Sequence, residues 1–527
     1  MRGEREMKRI LLVLLVMALF VSTLAGCGTR TTTAVQDGKV KYGTTYPLST
    51  NTTLSVWANE VINPVYKSYT EQPFYVNLMK RTGVKLDYKF PRGDQHREAF
   101  NLLIASNQLP DIIQYDWLAL PGGPEKYLKE GYIIPLNDLI DKYAPNLKKY
   151  LANHPDVDKM VKTDKGVYYA FPFLRGDEWL NVYSGPVVRK DWLDKLGLAV
   201  PQTINEWEVA LKAFKDKMGI KAPLTFVCDY TFETGFLSGA YGVELAYYLE
   251  DGKIKYGPQE AGWKDFISLL SRWYKEGLID ADIATIDSKI MTTRMSSGQS
   301  GATLGSGGYL GMWLPPLMQK DEKANLVAAP FPTLKKGETP KFGQYGNLYL
   351  GIASSAITKE CKDVELAVKF LDYRFSDEGI MFCNFGEEGV SYNMVNGYPK
   401  FSDEIMNAKD FMSEATKYIN YNSSVNDKRM YEQRLKYPQQ KEAIGIWAKT
   451  DAKKYYLPPI TASSEESSEV AKLTSDIDTY VKEMMLKFVL GQESLDNYDA
   501  YLANLKKIGV DKLITFKEQA FERYNKR

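Results

Sequence analysis

Pairs of adjacent Asp and Glu residues are the features of this sequence that most readily suggest a catalytic site. They occur as Glu387–Glu388, Asp177–Glu178 and Asp403–Glu404. A glycosidase needs two carboxyl groups about 5 to 10 Å apart across the scissile bond, and neighbouring side chains usually diverge rather than face one substrate. We therefore predict no catalytic residue, and a polysaccharide hydrolase or lyase stays a weaker alternative.

Metal-binding and nucleophilic side chains are scarce. The chain has 2 His and 4 Cys, which leaves little room for multi-His metal sites or Ser-His triads. Cys228, Cys361 and Cys383 lack C-x-x-C spacing, so we predict buried thiols, with a bridge between Cys361 and Cys383 as the alternative. No metal and no cofactor is predicted.

A glycine-rich stretch at residues 300–311 lacks the residues of a nucleotide-binding loop. No Lys followed by Ser or Thr stands where a phosphate-binding loop requires it. We expect its glycines to let backbone approach a ligand closely. Tyr309 and Trp313, which follow, are then expected to project into a cleft.

The composition is that of a globular protein rich in aromatic side chains. Of 527 residues, 44% are hydrophobic and 25% charged, which excludes disorder and a multi-span membrane protein. The net charge of +1 argues against a nucleic-acid partner. The 36 Tyr, 22 Phe and 9 Trp supply flat faces of the kind on which sugar rings stack.

The first residues have the pattern of a secretory signal. Basic residues precede the apolar run 10–21, which is shorter than the roughly 20 residues needed to span a bilayer. The run leads to Leu24–Cys27, which resembles a bacterial lipobox. We expect a lipoprotein signal peptide at 1–26, a lipid on Cys27 that holds the protein on the outer face of the cell membrane, and a flexible tether at 27–53. A plain secretory signal with an incidental cysteine is the alternative.

Strand and helix patterns alternate at the start of the body. Apolar alternation predicts strands at 54–58, 84–90 and 111–115, and helices ending at 83 and 106 lie between them. This order is typical of a parallel sheet with crossover helices. Ligands of such sheets bind beyond the carboxyl ends of the strands.

Later elements are predicted from helix caps and apolar spacing. Residues 203–206 read Thr-Ile-Asn-Glu, a capping box that begins a helix. The extended segment 167–172 ends in proline and is a candidate crossing between two lobes. Apolar periodicity also predicts a strand at 349–357 and helices at 263–274, 364–375, 470–488 and 495–505.

Several short motifs follow one another in an order that is specific. They are Asn101–Ser106 with Leu109–Ile113, Arg189–Leu198 with Pro201 and Thr203, Ser376–Gly379 with Gly386–Tyr392, and Phe488–Gly491 with Tyr498–Tyr501. In this order the chain resembles the extracellular solute-binding lipoproteins of bacterial ABC importers, in particular their long oligosaccharide-binding branch. The resemblance covers essentially the whole chain.

The resemblance implies an α/β protein with the two-lobed, type II periplasmic-binding-protein-like fold. Its lobes are discontinuous and joined by hinge strands, and an extra helical region follows at the carboxyl end. The implied N-lobe comprises residues 54–170 plus about 347–400. The implied C-lobe comprises residues 171–346 plus about 401–527.

Comparison with maltodextrin-binding proteins of the same superfamily implies ligand contacts after the first strand, after the third strand and in the glycine-rich stretch. The candidates there are Trp57, Asn59, Glu60, Tyr115, Asp116, Trp117, Tyr309 and Trp313. Asp229 and Tyr230 resemble a further stacking position, and Trp179, Tyr183, Arg189 and Tyr345 flank the crossings. Loss of Trp117 or Trp313 is expected to weaken binding without unfolding the protein.

The implied function is capture of an oligosaccharide between the lobes and delivery to the permease subunits of an ABC transporter, by a monomer without enzymatic activity. A protein of the same fold that binds peptide or another solute is the main alternative. A sensory or adhesive lipoprotein is a further one.

The prediction that the protein binds no metal can be tested with calcium. Many relatives carry an Asp- and Asn-rich calcium loop between the capped helix and the next strand, whereas residues 215–223 read Lys-Asp-Lys-Met-Gly-Ile-Lys-Ala-Pro and lack the oxygen ligands that calcium needs. We predict that calcium titration leaves the melting temperature unchanged, whereas a large stabilisation would contradict this interpretation.

Overall fold

The alternating apolar residues at the start of the body form the strands of one twisted sheet. The computed structural model describes residues 41–60, 62–91 and 95–527. The predicted signal peptide, Cys27 and the first part of the predicted tether lie outside these residues. Residues 45–527 form one compact unit.

Short strands and helices alternate along most of the described chain. The strands are β1 Thr53–Ala58, β2 Lys85–Lys89, β3 Ile112–Tyr115, β4 Leu174–Arg175, β5 Ser184–Arg189, β6 Ala222–Leu224, β7 Tyr247–Glu250, β8 Lys253–Tyr256, β9 Ser300–Ser306, β10 Leu326–Ala328, β11 Ser354–Ile357, β12 Tyr392–Val395, β13 Tyr398–Phe401 and β14 Val425–Asn426. The α-helices are α1 Pro73–Thr82, α2 His96–Ser106, α3 Gly123–Lys129, α4 Asn137–Tyr143, α5 Pro145–Asn153, α6 Pro155–Met160, α7 Lys190–Leu196, α8 Ile204–Met218, α9 Cys228–Glu233, α10 Ala261–Lys275, α11 Ser288–Ser297, α12 Gly307–Lys320, α13 Val364–Tyr373, α14 Asp377–Phe385, α15 Asp403–Asn407, α16 Phe411–Ala415, α17 Lys428–Arg434, α18 Pro438–Trp447, α19 Ala452–Tyr455, α20 Ser467–Val489, α21 Tyr498–Ile508 and α22 Val510–Asn525. Short 3-10 helices occupy Glu178–Asn181, Ser238–Tyr241, Gly257–Gln259, Tyr421–Ser423 and Leu495–Asn497.

The first lobe is built on a sheet in the order β11, β3, β1, β2. Strand β1 pairs in parallel with both β2 and β3, while β11 is antiparallel to β3. The predicted parallel sheet with crossover helices is therefore confirmed. Helix α1 ends where expected, because Gly83 takes a left-handed conformation with φ 73° that favours glycine.

The second lobe is built on a sheet in the order β10, β5, β9, β6. Its core is rich in large aromatic side chains, among them the fully buried Trp207, Trp263 and Trp273. Helix α8 begins at the predicted cap, since Thr203 Oγ1 accepts from Glu206 N at 3.2 Å. The Glu206 carboxylate accepts from Gln202 N at 2.8 Å.

Three crossing segments connect the two lobes. The first is 171–176, the second 346–355 and the third 424–427. Phe171 and Ser355 exchange backbone hydrogen bonds of 2.8 and 2.9 Å, and Leu174 pairs with Tyr349. Strand β14 then pairs in parallel with β4, so the three segments lie side by side.

Two segments differ from the sequence-based expectation. The strand predicted at 349–357 is shorter, because Gly351 and Ala353 have φ of 74° and 55°, which interrupts extended backbone before β11. The lobe boundary expected near residue 400 also differs from the third crossing. Residues just before that crossing pack on the first lobe, where Asn63 Nδ2 donates to Ser413 O at 2.6 Å and Phe74 N donates to Lys417 O at 3.1 Å.

The carboxyl-terminal region is helical, as the sequence predicts. Helices α20 and α21 pack on the second-lobe core through residues such as Ile477 and Leu505, and α22 adds a helix that was not predicted. Cys361 and Cys383 are buried free thiols and Cys228 is a half-buried one. Within the described ranges no helix has both the length and the apolar character needed to cross a bilayer.

The end of α22 reaches the first lobe through a shared carboxylate. Asp164 accepts from Arg523 Nε at 2.8 Å and from Arg527 Nη2 at 2.7 Å. The side chains of Arg527 and Asp164 are only 2% and 10% exposed. Removing this carboxylate would leave the positive charges of Arg523 and Arg527 only partly compensated, in a position that water reaches poorly.

We predict that Asp164→Asn lowers the free energy of unfolding by about 3 kcal/mol, the order found when a buried ion pair loses one partner. Asp141→Asn is the matched control, since Asp141 pairs with Lys148 on the surface, and it should have little effect. Urea unfolding monitored by tryptophan fluorescence measures both. Equal midpoints for the two variants would show that the contact of α22 with the first lobe does not stabilise the fold.

Candidate functional site

The crossing segments form the floor of a cavity between the lobes. Phe173 and Arg175 lie on the first crossing, and Leu350 and Ile352 on the second, and all four line the same space. Extended backbone directs successive side chains to opposite faces. Phe173 and Arg175, which are alternate residues of the first crossing, therefore both face the cavity.

This cavity, called the cleft, has a volume of about 310 Å³, which lies at the lower end of the usual range for small-molecule sites. The first lobe contributes Asn422, which lies just before the third crossing, and Asn426, which lies on it. The second lobe contributes Trp179, Tyr183 and the start of α12. The cleft thus presents aromatic faces and amide groups from both sides.

Asn426 has an unused hydrogen-bond acceptor at the cleft. Its side chain is almost completely buried, at 3% exposure. The Nδ2 group donates to Tyr431 Oη at 3.1 Å, whereas Oδ1 accepts no hydrogen bond from any described residue. Buried polar atoms without a partner are rare in folded proteins, so this oxygen is an unsatisfied acceptor beside the cleft.

Arg175 is a half-buried cation on the floor of the cleft. Its Nη1 donates to Asn347 O at 3.1 Å and to Asn181 Oδ1 at 3.4 Å, both neutral oxygens. The guanidinium lies over the Tyr183 ring, 5.5 Å from its centroid. Burial lowers the pKa of Arg175, because desolvation disfavours the charged form.

A second arginine, Arg434, lines the cleft from the second lobe. Arg434 is the last residue of α17, which begins directly after the third crossing. Its guanidinium faces the first turn of α12, where a Cβ atom at Gly308 would lie 3.3 Å from Nη2. The glycine therefore leaves room for the guanidinium beside the helix.

A second cavity of about 270 Å³ adjoins the cleft, and Tyr183 lines both. Its walls include Tyr230, Tyr345 and two acids, Glu233 and Glu244. Burial raises the pKa of Glu244 to about 8, with Glu233 adding to the shift and Lys341 opposing it. Glu244 is therefore largely protonated at neutral pH and can donate a hydrogen bond.

Four of the candidate residues from the sequence line these cavities. Trp179 and Tyr183 line the cleft, and Tyr183, Tyr230 and Tyr345 line the second cavity. Tyr183 is 42% exposed, so part of its side chain is open to a ligand. Trp179, Tyr183 and Tyr345 flank the first two crossings in sequence, whereas Tyr230 comes from α9.

The aromatic candidates after the first and third strands lie in the core instead. Trp57 packs against Tyr115, with ring centroids 5.6 Å apart, and Tyr115 stacks on Phe100 at 4.3 Å. Trp117 is fully buried and its Nε1 donates to Ser354 O at 3.0 Å. These rings fill the space between the first sheet and α2, which removes them from a ligand.

The glycine-rich stretch also differs from the expectation. Trp313 is fully buried and stacks on Tyr309, with centroids 5.1 Å apart. A Cβ at Gly305 would lie 2.6 Å from Trp313, so this glycine makes room for a core tryptophan. Only the next glycines, Gly307 and Gly308, line the cleft.

Two of the polar candidates of the first lobe accept hydrogen bonds from other groups of the protein, and the third is exposed. Glu60 accepts from Asn420 Nδ2 at 2.7 Å, and burial raises its pKa. Asp116 Oδ1 accepts from Ala119 N at 3.2 Å, and burial likewise raises its pKa. Asn59 is exposed at the end of β1. None of the three lines the cleft.

The charged candidates of the second lobe form ion pairs. Arg189 is 5% exposed, donates to Asp191 at 2.9 and 2.6 Å, and lies over the Trp192 ring. Asp229 is paired with Lys482 at 2.8 Å. Both residues support local structure, and neither lines the cleft.

Sequence reasoning missed the two cleft arginines. Arg175 had a signal, because it is a charged residue directly after the apolar crossing segment that ends in Leu174. Arg434 had none, since its position depends on where the third crossing lies. In the described part of the chain no group of three or more His, Cys, Asp or Glu side chains could hold a metal ion.

Comparisons with known proteins show the family and the fold of this chain. The family model described as bacterial extracellular solute-binding protein matches residues 63–381. The fructooligosaccharide ABC transporter substrate-binding protein FusA of Streptococcus pneumoniae serotype 4 (strain ATCC BAA-334 / TIGR4) is 33% identical over 287 residues, which are 51% of this chain and 52% of FusA. The matched region therefore spans about half the length of that relative.

Two further comparisons cover most of the chain. Lipoprotein LipO of Bacillus subtilis (strain 168) is 23% identical over 461 residues, which are 84% of this chain and 88% of LipO. The crystal structure of alginate-binding protein AlgQ2 without calcium ion has a TM-score of 0.70 and 26% identity, and covers 89% of this chain and 98% of that one. The expected two-lobed α/β fold is confirmed.

The burial of Trp313 changes the expected effect of its removal. We predict that Trp313→Ala lowers the free energy of unfolding by about 3 to 5 kcal/mol, through lost burial and the cavity left behind. Trp179→Ala, at a half-buried ring on the cleft, should destabilise much less. Thermal and urea unfolding compare them, and a Trp313→Ala protein of unchanged stability would place that ring outside the core.

Proposed function

The chain belongs to the family of bacterial extracellular solute-binding proteins, and from this premise we propose that it is the solute-binding component of an ABC importer for oligosaccharides. In this role it captures a saccharide in the cleft and delivers it to the permease subunits in the membrane. The names of FusA and AlgQ2 attribute saccharide ligands to those proteins, which supports the same ligand class for this chain.

One observation supports this proposal most directly. The cleft combines the rings of Trp179 and Tyr183 with the amides of Asn422 and Asn426, and these groups come from both lobes. Sugar rings stack on aromatic faces, and their hydroxyls match amide donors and acceptors.

The mechanism follows from contacts to both lobes. A ligand that touches both sides of the cleft binds the closed form more tightly than the open form, and this difference in affinity shifts the population towards closure. The crossing segments are the places where backbone torsions change in such a motion. The permease then distinguishes the closed, loaded protein, and ATP hydrolysis takes place in partner subunits.

The protein is further proposed to act as a monomer held at the cell surface by a lipid. Cys27 follows a sequence that resembles a lipobox, and the relative LipO is named a lipoprotein. A lipid on Cys27 would keep the protein near its permease on the extracellular face. The lobes are proposed to divide at the three crossings, so that the first lobe continues to about residue 426.

A thermal-shift screen of the purified protein against oligosaccharides, with peptides as controls, tests the proposal. A ligand at a hundred times its dissociation constant adds about 2.7 kcal/mol to stability, so we expect a saccharide to raise the melting temperature. Tyr183→Ala should weaken its binding about tenfold or more, since the exposed ring is lost, while Tyr274→Ala on α10 should not.

Three results would contradict the proposal in different ways. Stabilisation by a peptide alone would show that the cleft serves another solute. Cleavage of the saccharide during incubation would show an enzyme. Binding that survives Tyr183→Ala unchanged would place the ligand outside the cleft.

A further inference from the structure

We propose that the oligosaccharide bound in the cleft is acidic, and that a carboxylate on one of its sugar rings is held by Arg175 and Arg434. The ligand class is thus an oligosaccharide that contains uronic acid residues. This inference rests on the proposed function, and it narrows the ligand from oligosaccharides in general to those with a carboxylate.

The cleft has positive charge without a matching negative charge. Its described lining includes the guanidiniums of Arg175 and Arg434 and no Asp or Glu side chain. Within the described residues, neither arginine forms an ion pair. Seven other arginines do so: Arg81, Arg189, Arg272, Arg294, Arg429, Arg523 and Arg527 are each paired with a carboxylate. The buried Arg374 does not pair with any described carboxylate, and it donates instead to Tyr88 Oη at 3.1 Å.

Arg175 carries the stronger argument because it is the more constrained of the two. Its guanidinium is held by the Asn347 carbonyl, the Asn181 amide and the face of the Tyr183 ring, none of which carries a charge. A cation in such a place is disfavoured relative to water, and burial lowers its pKa accordingly. A ligand carboxylate beside Arg175 would supply the negative charge that the surrounding protein groups lack.

Arg434 supplies a guanidinium whose donors remain free for a ligand. Within the described part of the chain, no hydrogen bond or ion pair occupies its side chain. It faces Gly307 and Gly308 at the first turn of α12, a helix of 14 residues. The amino-terminal end of a helix carries partial positive charge, so this side of the cleft also favours an anion.

The acids nearest the cleft do not cancel this charge. Glu178 is paired with Lys453 at 2.6 Å, and Asp427 with Arg429 at 2.6 Å. In the adjoining cavity, the raised pKa of Glu244, about 8, keeps that carboxyl mostly neutral at pH 7. The two cavities therefore differ in character, and the anionic part of a ligand belongs in the cleft.

The surrounding groups favour a sugar carboxylate over a simple anion. Guanidinium groups bind carboxylates through two parallel hydrogen bonds, and the Trp179 and Tyr183 rings beside them are suited to a sugar face. The side-chain amide of Asn422, which also lines the cleft, can bind the hydroxyls of the same ring. A sulfate or phosphate ester on a sugar would satisfy the charge as well, so the test includes it.

Isothermal titration calorimetry compares matched ligands on the purified protein. The panel contains oligogalacturonate, its fully methyl-esterified form, oligomannuronate, a sulfated oligosaccharide and a neutral fructooligosaccharide. We expect a uronate oligosaccharide to bind at least about tenfold more tightly than every neutral or sulfated member, and added salt to weaken its binding. Methyl esterification should remove most of the affinity for oligogalacturonate.

Two variants connect the effect to the cleft. Arg434→Gln breaks no internal hydrogen bond and should weaken uronate binding about tenfold or more, and it should weaken the binding of a neutral saccharide much less. Arg97→Gln, at an exposed position of the first lobe, is the control and should change nothing. Melting temperatures without ligand verify that both variants fold.

Results that contradict the acidic-ligand inference can be distinguished from results that contradict the proposed function. If a neutral or sulfated saccharide binds as tightly as the uronates, or if Arg434→Gln leaves uronate binding intact, the acidic-ligand inference is wrong and the proposed function stands. If no saccharide of any kind binds and a peptide does, both the inference and the proposed function are wrong.

Discussion

The backbone pairing of the crossing segments is the constraint on which the site depends. Phe171 and Ser355 exchange two hydrogen bonds, and Arg175 N donates to Leu348 O at 2.7 Å. These bonds fix two chains side by side at the depth where both lobes can reach a ligand. Because Arg175 and Leu350 lie on these same segments, one set of hydrogen bonds sets both the hinge and the floor of the cleft.

Burial decides which of the many aromatic side chains can bind. Most tryptophans, such as Trp117 and Trp313, are fully buried, since large rings stabilise a core more than any other side chains. The aromatic side chains that line the cleft are Phe173, Trp179, Tyr183 and Tyr431, which lie on or shortly after a crossing rather than on a strand of the two lobe sheets. The charges are also unevenly distributed, because Arg175 and Arg434 at the cleft have no ion pair among the described residues, whereas seven other arginines are paired with carboxylates.

Local elements could be predicted well from the sequence, and side-chain environments poorly. The first parallel sheet, the end of α1 at Gly83 and the start of α8 at Thr203 depend on neighbouring residues, so they could be inferred from pattern. The position of Trp313 depends on Gly305 and on the packing of α12, and that of Arg434 depends on a third crossing more than two hundred residues from the first. Such contacts between distant segments leave no local signal.

A crystal structure of the protein with a bound uronate oligosaccharide tests the central claim most directly. We predict a sugar ring against Tyr183 between the two lobes, its carboxylate within hydrogen-bond distance of Arg175 and Arg434, and the pairing of the crossing segments retained. A saccharide bound on the outer surface of one lobe, with the cleft empty, would contradict this claim.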